Sequence, residues 1–139
     1  MKEKARPVLF DTDVLIWYFR GLEAAAQLME KTPYEQRYVS SLCIMELIQG
    51  CRNKRELKDI TSFFSENFSH VVHCDGAISE KAIALLKTYA LSHGLRTVDA
   101  IIAATAIAGK TSFATSNHRH FSMMDEMTLI RFNPNQKKE

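Results

Sequence analysis

Short apolar runs alternate with longer helical patterns along this chain. Residues 8–10 (VLF) follow Pro7 and stop at Asp11, and so short a run beside a breaker reads as a buried parallel strand. Residues 37–40, 71–73, 112–115 and 128–132 read as four more strands of the same kind. Between them, residues 14–19 predict a short helix that Gly21 ends, and residues 23–31 a second helix, rich in strong formers, with Pro33 just beyond it. Ser40 or Ser41 is placed to cap a third helix over residues 42–50. That segment is apolar on nearly every side, which predicts burial, yet it carries Glu46 at its centre.

Residues 51–68 open with a basic cluster and continue with Leu57, Ile60, Phe63, Phe64 and Phe68 at roughly helical spacing, the pattern of one amphipathic helix. Residues 75–93 predict a long helix with Ile78, Ala82, Leu85, Leu86 and Tyr89 on its buried side and Gly94 as its stop. An alanine-rich helix over residues 98–108 follows, with Thr97 as its expected cap and Asp99 in its first turn. Strands alternating with helices predict an α/β protein with a parallel sheet. At 139 residues, with no internal repeat or linker, the chain is expected to be one domain, with residues 1–6 and 133–139 as frayed tails.

Composition narrows the function classes only a little. A formal charge of +2 is compatible with an anionic partner but does not require one. The three cysteines, Cys43, Cys51 and Cys74, form no CxxC pair and leave one over, which predicts free thiols and a cytoplasmic setting. The N-terminus lacks a signal-peptide core, and the most apolar stretch, residues 100–108, is too short to span a bilayer, so no membrane association is expected. None of the five histidines, His70, His73, His93, His118 and His120, stands at a zinc-ligand spacing. GxSxG, Walker A and GxGxxG are absent.

Four polar residues stand out by position. Asp11 and Asn117 follow strands, where α/β proteins place their chemistry; Glu46 lies inside an apolar helix, and Asp99 opens another. Carboxylates desolvated together repel, so such a cluster calls for protons or a cation. Hard oxygen donors suit Mg²⁺ or Mn²⁺, and a metal-dependent phosphoryl-transfer site follows if the four converge. Each residue also has a structural reading. Asp99 could serve only the helix dipole, Glu46 could turn outward, Asp11 or Asp13 could cap the first helix, and Asn117 could make an Asx-turn. The basic cluster Arg52, Lys54, Arg55 and Lys58 is either a path for RNA phosphates or a solvated helix face.

The order DTDVLI at Asp11, MEL at Glu46, VDAIIAATA at Asp99 and TSNHRHF at residues 115–121 resembles the PIN-domain ribonucleases, specifically the VapC-type toxins. The resemblance covers nearly the whole chain. It implies a PIN-like three-layer α/β/α fold around a central, mainly parallel five-stranded sheet. It also implies that Asp11, Glu46 and Asp99 are metal ligands for Mg²⁺ or Mn²⁺, with Asn117 at a fourth position that is often Asp in the family. Asp13 then serves as an auxiliary ligand or support, Thr12, Thr115 and Ser116 supply hydrogen bonds, and Arg52, Lys54, Arg55 and Arg119 are candidates for RNA contact. The implied reaction is hydrolysis of RNA to 5′-phosphate and 3′-hydroxyl ends, by a homodimer with a cognate VapB-type antitoxin.

Two other readings compete. VLFDTDVL also fits a haloacid-dehalogenase-like phosphatase, with Asp11 as nucleophile and Asp13 as general acid, although no late strand ends in the paired acids of that family. A catalytically silent PIN-like binding module is the third.

Overall fold

The computed structural model describes residues 6–135. Its strands are β1 (Val8–Phe10), β2 (Arg37–Ser40), β3 (His70–Val72), β4 (Ser112–Thr115) and β5 (Thr128–Arg131). They form one sheet in the order β3-β2-β1-β4-β5, and every pairing is parallel. In register, Leu9 faces Tyr38 on one side of β1 and Phe113 on the other. Parallel neighbours need crossovers, and helices supply them: α1 (Thr12–Phe19) and α2 (Glu23–Lys31) lead to β2, α3 (Ser41–Gln49) and α4 (Lys54–Asn67) to β3, and α5 (Gly76–His93) and α6 (Thr97–Gly109) back across the sheet to β4. A single turn, α7 (His118–Phe121), joins β4 to β5. Helices on both faces make the three-layer α/β/α arrangement that the sequence resemblance implies.

This order places a switch point between β1 and β4. The chain builds outward from β1 through β2 to β3, then returns to β1's other side for β4 and β5. Loops leaving neighbouring strands in opposite directions open a crevice there, at the strands' carboxyl ends. Asp11 ends β1 and its N–H continues the ladder to the Ala114 carbonyl at 2.9 Å, so the Asp11 side chain stands at the mouth of that crevice.

Rings anchor the elements that frame the mouth. Phe10 meets Phe68 edge-on at 5.8 Å, and Phe68 packs with Phe63 and Phe64, fixing α4 against β1. On the other side Phe121 of α7 packs edge-on against Phe113 of β4 at 5.0 Å. Leu9, Phe10, Phe113 and Phe121 are all essentially solvent-free, and burying each contributes on the order of 2 kcal/mol.

Several local expectations shift. The cap of α1 is Asp11, whose Oδ1 accepts the Thr12 N–H, and the helix already includes Thr12 and Asp13. Ser40 is the α3 cap. The amphipathic helix α4 starts at Lys54 after an Asn53 cap, with Glu56 reaching back to the Arg52 N–H. Thr97 is not a cap: α6 begins at Thr97 itself, after Arg96, with no side-chain cap. α7 had no counterpart in the periodicity, since four residues make only one turn.

The helix α3 corrects a larger expectation. Only Cys43 and Leu47 are buried on it, while Met45 is 59% and Ile48 40% exposed, and Glu46 faces outward as well. Its apolar composition therefore reflects an apolar surface and not enclosure on all sides.

Of the predicted tails, 1–6 and 133–139, residues 1–5 and 136–139 lie outside the described residues. Of the remainder, Arg6 donates to the Thr128 hydroxyl at 2.7 Å, and Asn133 accepts the Asn135 N–H. Among the described residues no helix is long and apolar enough to cross a membrane.

Candidate active site

The crevice mouth gathers the N-terminal turn of α1 and the residues just past β4. Asp11 is 7% exposed, and both its oxygens are engaged: Oδ1 by the Thr12 N–H at 2.8 Å, Oδ2 by the Thr115 hydroxyl at 2.8 Å. Thr115, itself fully buried, also accepts the Asn117 N–H at 3.0 Å through the same hydroxyl oxygen. Asp13, in the first turn of α1, reaches Ser116, whose backbone N–H and hydroxyl both donate to Asp13 Oδ2. Two acids of one helix start thus hold two successive residues of a strand end.

Glu46 approaches from α3, and the Thr12 hydroxyl donates to its Oε1 at 2.9 Å. Asp99 approaches from the first turn of α6, where its Oδ2 lies 3.3 Å from His120 Nδ1. In the sequence His120 stands only within TSNHRHF, and no spacing signal links it to Asp99. Asn117 is exposed, and its side chain does not cap α7. An Asx-turn cap is therefore not its role.

Electrostatics mark Asp11 as the centre. Its carboxyl is raised from 3.8 to about 7, first by burial, then by the charge of Asp13, with Asp99 adding to the push; the bonds from Thr115 and Thr12 pull the other way. Cys43, buried beneath the site with its thiol near the Phe10 carbonyl, is pushed up to about 12, mainly by burial.

The donor set tests the cation expectation. Asp11, Asp13, Glu46 and Asp99 offer hard carboxylate oxygens, and among the described residues none of them forms an ion pair with Lys or Arg. Asp13 Oδ1 is buried with no hydrogen-bond partner among the described residues. The acids are short of positive charge, which a divalent cation would supply. Against this, no group of three or more His, Cys, Asp or Glu among the described residues already stands at cation-holding spacing. Glu46 accepts from the Thr12 hydroxyl and Asp99 stands by His120, so a cation would have to draw both acids toward Asp11. The chemistry of the set, though not its spacing here, fits a hard cation.

A cleft of about 640 Å³ extends from the site between α1, α3 and the start of α4, lined by Thr12, Glu46, Phe19, Arg20 and Arg52 among others. Arg52 is the one member of the basic cluster on this wall, and it is paired to Glu56 at 2.9 Å. Lys54 and Arg55 are exposed at the start of α4 and Arg119 is exposed on α7; none of these three lines the cleft.

Comparison with known proteins agrees with this geometry. Ribonuclease VapC19 of Mycobacterium tuberculosis is 35% identical over 122 residues, 86% of this chain and 95% of that protein. A toxin-antitoxin complex from Klebsiella pneumoniae superposes with a TM-score of 0.75 at 27% identity, covering 94% of this chain and 99% of that one. FitAcB from Neisseria gonorrhoeae shares the fold, with a TM-score of 0.72 at 23% identity over 91% of this chain and 97% of its own. The family profile described as PIN domain matches residues 8–126, from the first residue of β1 to just short of β5 and through every candidate acid. The chain belongs to the PIN-domain family.

Proposed function

We propose that this protein is a divalent-metal-dependent endoribonuclease, the toxin of a VapBC-type module. The observation that carries the reading is Asp11: a buried carboxylate at the switch point, crowded by Asp13 and Asp99, with no cationic side chain among the described residues paired to it. Structure that stores such repulsion at a crevice mouth is organised for a cation. The ribonuclease name of the 35%-identical relative and the toxin-antitoxin complex at 27% identity point the same way.

In this reading Asp11, Glu46 and Asp99 hold Mg²⁺ or Mn²⁺. The cation, when bound, lowers the pKa of water and offsets charge on the attacked phosphodiester. The chain's own residues do the positioning. Thr12 N–H and the Thr115 hydroxyl fix both oxygens of Asp11, so little freedom is lost when it becomes a ligand. Asn117, neutral where relatives often carry Asp, leaves one negative charge fewer facing an RNA phosphate. Arg20 and Arg52 stand along the cleft by which a strand would approach. A homodimer and a VapB-type antitoxin are the partners this function requires.

The phosphatase alternative is disfavoured by Asp13. A general acid there must deliver its proton to a leaving group, whereas Asp13 Oδ2 is turned to the Ser116 N–H and hydroxyl and its Oδ1 is buried. RNA-end sequencing after induction of wild type and of Asp99→Asn tests the proposal and names the substrate. New 5′-phosphate ends restricted to wild type are expected; identical end profiles would overturn it.

A further inference from the structure

Asp13 behaves differently from the other acids. It sits in the first turn of α1, yet its Oδ2 accepts both the N–H of Ser116 at 3.0 Å and the Ser116 hydroxyl, a contact spanning 103 residues of sequence. Asp11 makes the matching contact one residue earlier, on Thr115, and the Thr115 oxygen receives the Asn117 N–H. Consecutive residues 115–117 are thereby held from the α1 side. Beyond them, His120 beside Asp99 and Phe121 against Phe113 are the next anchors, and the Asn117 side chain makes no cap bond of its own.

We propose that Asp13 is a positioning residue and not a cation ligand: by gripping Ser116 it sets where the Asn117 side chain stands relative to Asp11 and Asp99. Two donors from one residue converge on a single carboxylate oxygen and tether it to Ser116. Its second oxygen is buried with no partner among the described residues, so it adds charge to the site while the first oxygen does the holding. The inference rests on the metal-nuclease reading above for what Asn117 is positioned to do.

Asp13→Asn separates the two roles. Asn keeps one carbonyl oxygen able to accept both Ser116 donors but is a far poorer ligand for a hard cation. In chelated protein, Asp13→Ala is expected to speed amide exchange at Ser116 by about tenfold or more, whereas Asp13→Asn stays within about threefold of wild type. In cleavage assays Asp13→Ala lowers kcat about tenfold with KM for RNA little changed, and Asp13→Asn restores most of that loss. Ser116→Ala, a milder cut, lowers kcat less and leaves the Mn²⁺ midpoint of thermal stabilisation unchanged, which keeps the test open should Asp13→Ala fail to fold.

The proposal is overturned if Asp13→Asn shifts the Mn²⁺ midpoint as far as Asp99→Asn does, the result expected of a ligand. It is equally overturned if Ser116 exchange is unchanged in Asp13→Ala. A wild type that cuts no RNA with either metal defeats the nuclease reading, and the exchange measurement still decides the grip.

Discussion

Replacing Asp11 with Asn should make the chelated protein more stable at pH 8 while removing the central proposed ligand. The Asp11 carboxyl is raised from 3.8 to about 7, with burial the larger cause and the Asp13 charge the next. A rise of roughly three units, at about 1.4 kcal/mol each, costs the folded state about 4 kcal/mol whenever the group is ionised. Below the unfolded value of 3.8 the carboxyl is protonated in both states and no penalty exists. As pH rises from there the unfolded chain ionises first, and stability falls until the folded group also ionises near 7; above that the penalty is constant.

Asn carries no charge and escapes this penalty. It keeps an oxygen for the Thr12 N–H but presents NH₂ to the Thr115 hydroxyl, which costs about 1–2 kcal/mol in altered hydrogen bonding. The net gain at pH 8 is about 2–3 kcal/mol. With an unfolding entropy of about 2.1 cal/mol/K per residue, this raises Tm by roughly 8 °C in a chain of this length. Calorimetry in chelator at pH 8 and pH 4 checks it. The gap should close by pH 4, where only the altered hydrogen bonding remains and wild type is equal or slightly ahead. A variant Tm at or below wild type at pH 8 would refute the argument that the site stores repulsion.

Other outcomes follow from burial. Phe121→Ala removes the ring packed on Phe113 and should cost about 3–5 kcal/mol, read as a lower denaturant midpoint. Thiol labelling of native protein should modify exposed Cys74 at once and half-buried Cys51 more slowly. Cys43, buried and pushed up to about 12, should react only on unfolding, and fast labelling of all three would contradict the packing.

Short strands were legible because each is an apolar run next to a breaker or cap; four of the five start on the expected residue and β3 starts one residue earlier. The cap at Ser40 and the left-handed stop at Gly94 follow from local chemistry that sequence displays, whereas Asp75, read as the first residue of α5, turns out to be its cap. What sequence could not display is which surface an element turns outward. Met45 and Ile48 look like core residues by composition, and only the packing of α3 through Cys43 and Leu47 shows them exposed, so the argument that placed Glu46 in the site by burial fails even though Thr12 holds it beside Asp11. Asp13 on Ser116 and His120 on Asp99 are tertiary contacts with no periodic trace. Arg96 in place of Thr97 before α6 shows that a hydroxyl near a helix start does not secure the cap.

The central claim is that Asp11, Glu46 and Asp99 form one cation site that drives RNA hydrolysis. The most direct measurement is cleavage of RNA by the purified chain, freed of any antitoxin, in Mn²⁺, Mg²⁺ or chelator, beside Asp99→Asn. The account predicts 5′-phosphate products only with metal, and at least about a hundredfold slower cleavage by the variant, as expected when a group stabilising the transition state is lost. Cleavage that persists in chelator, or an Asp99→Asn protein that cuts as fast as wild type, would contradict it.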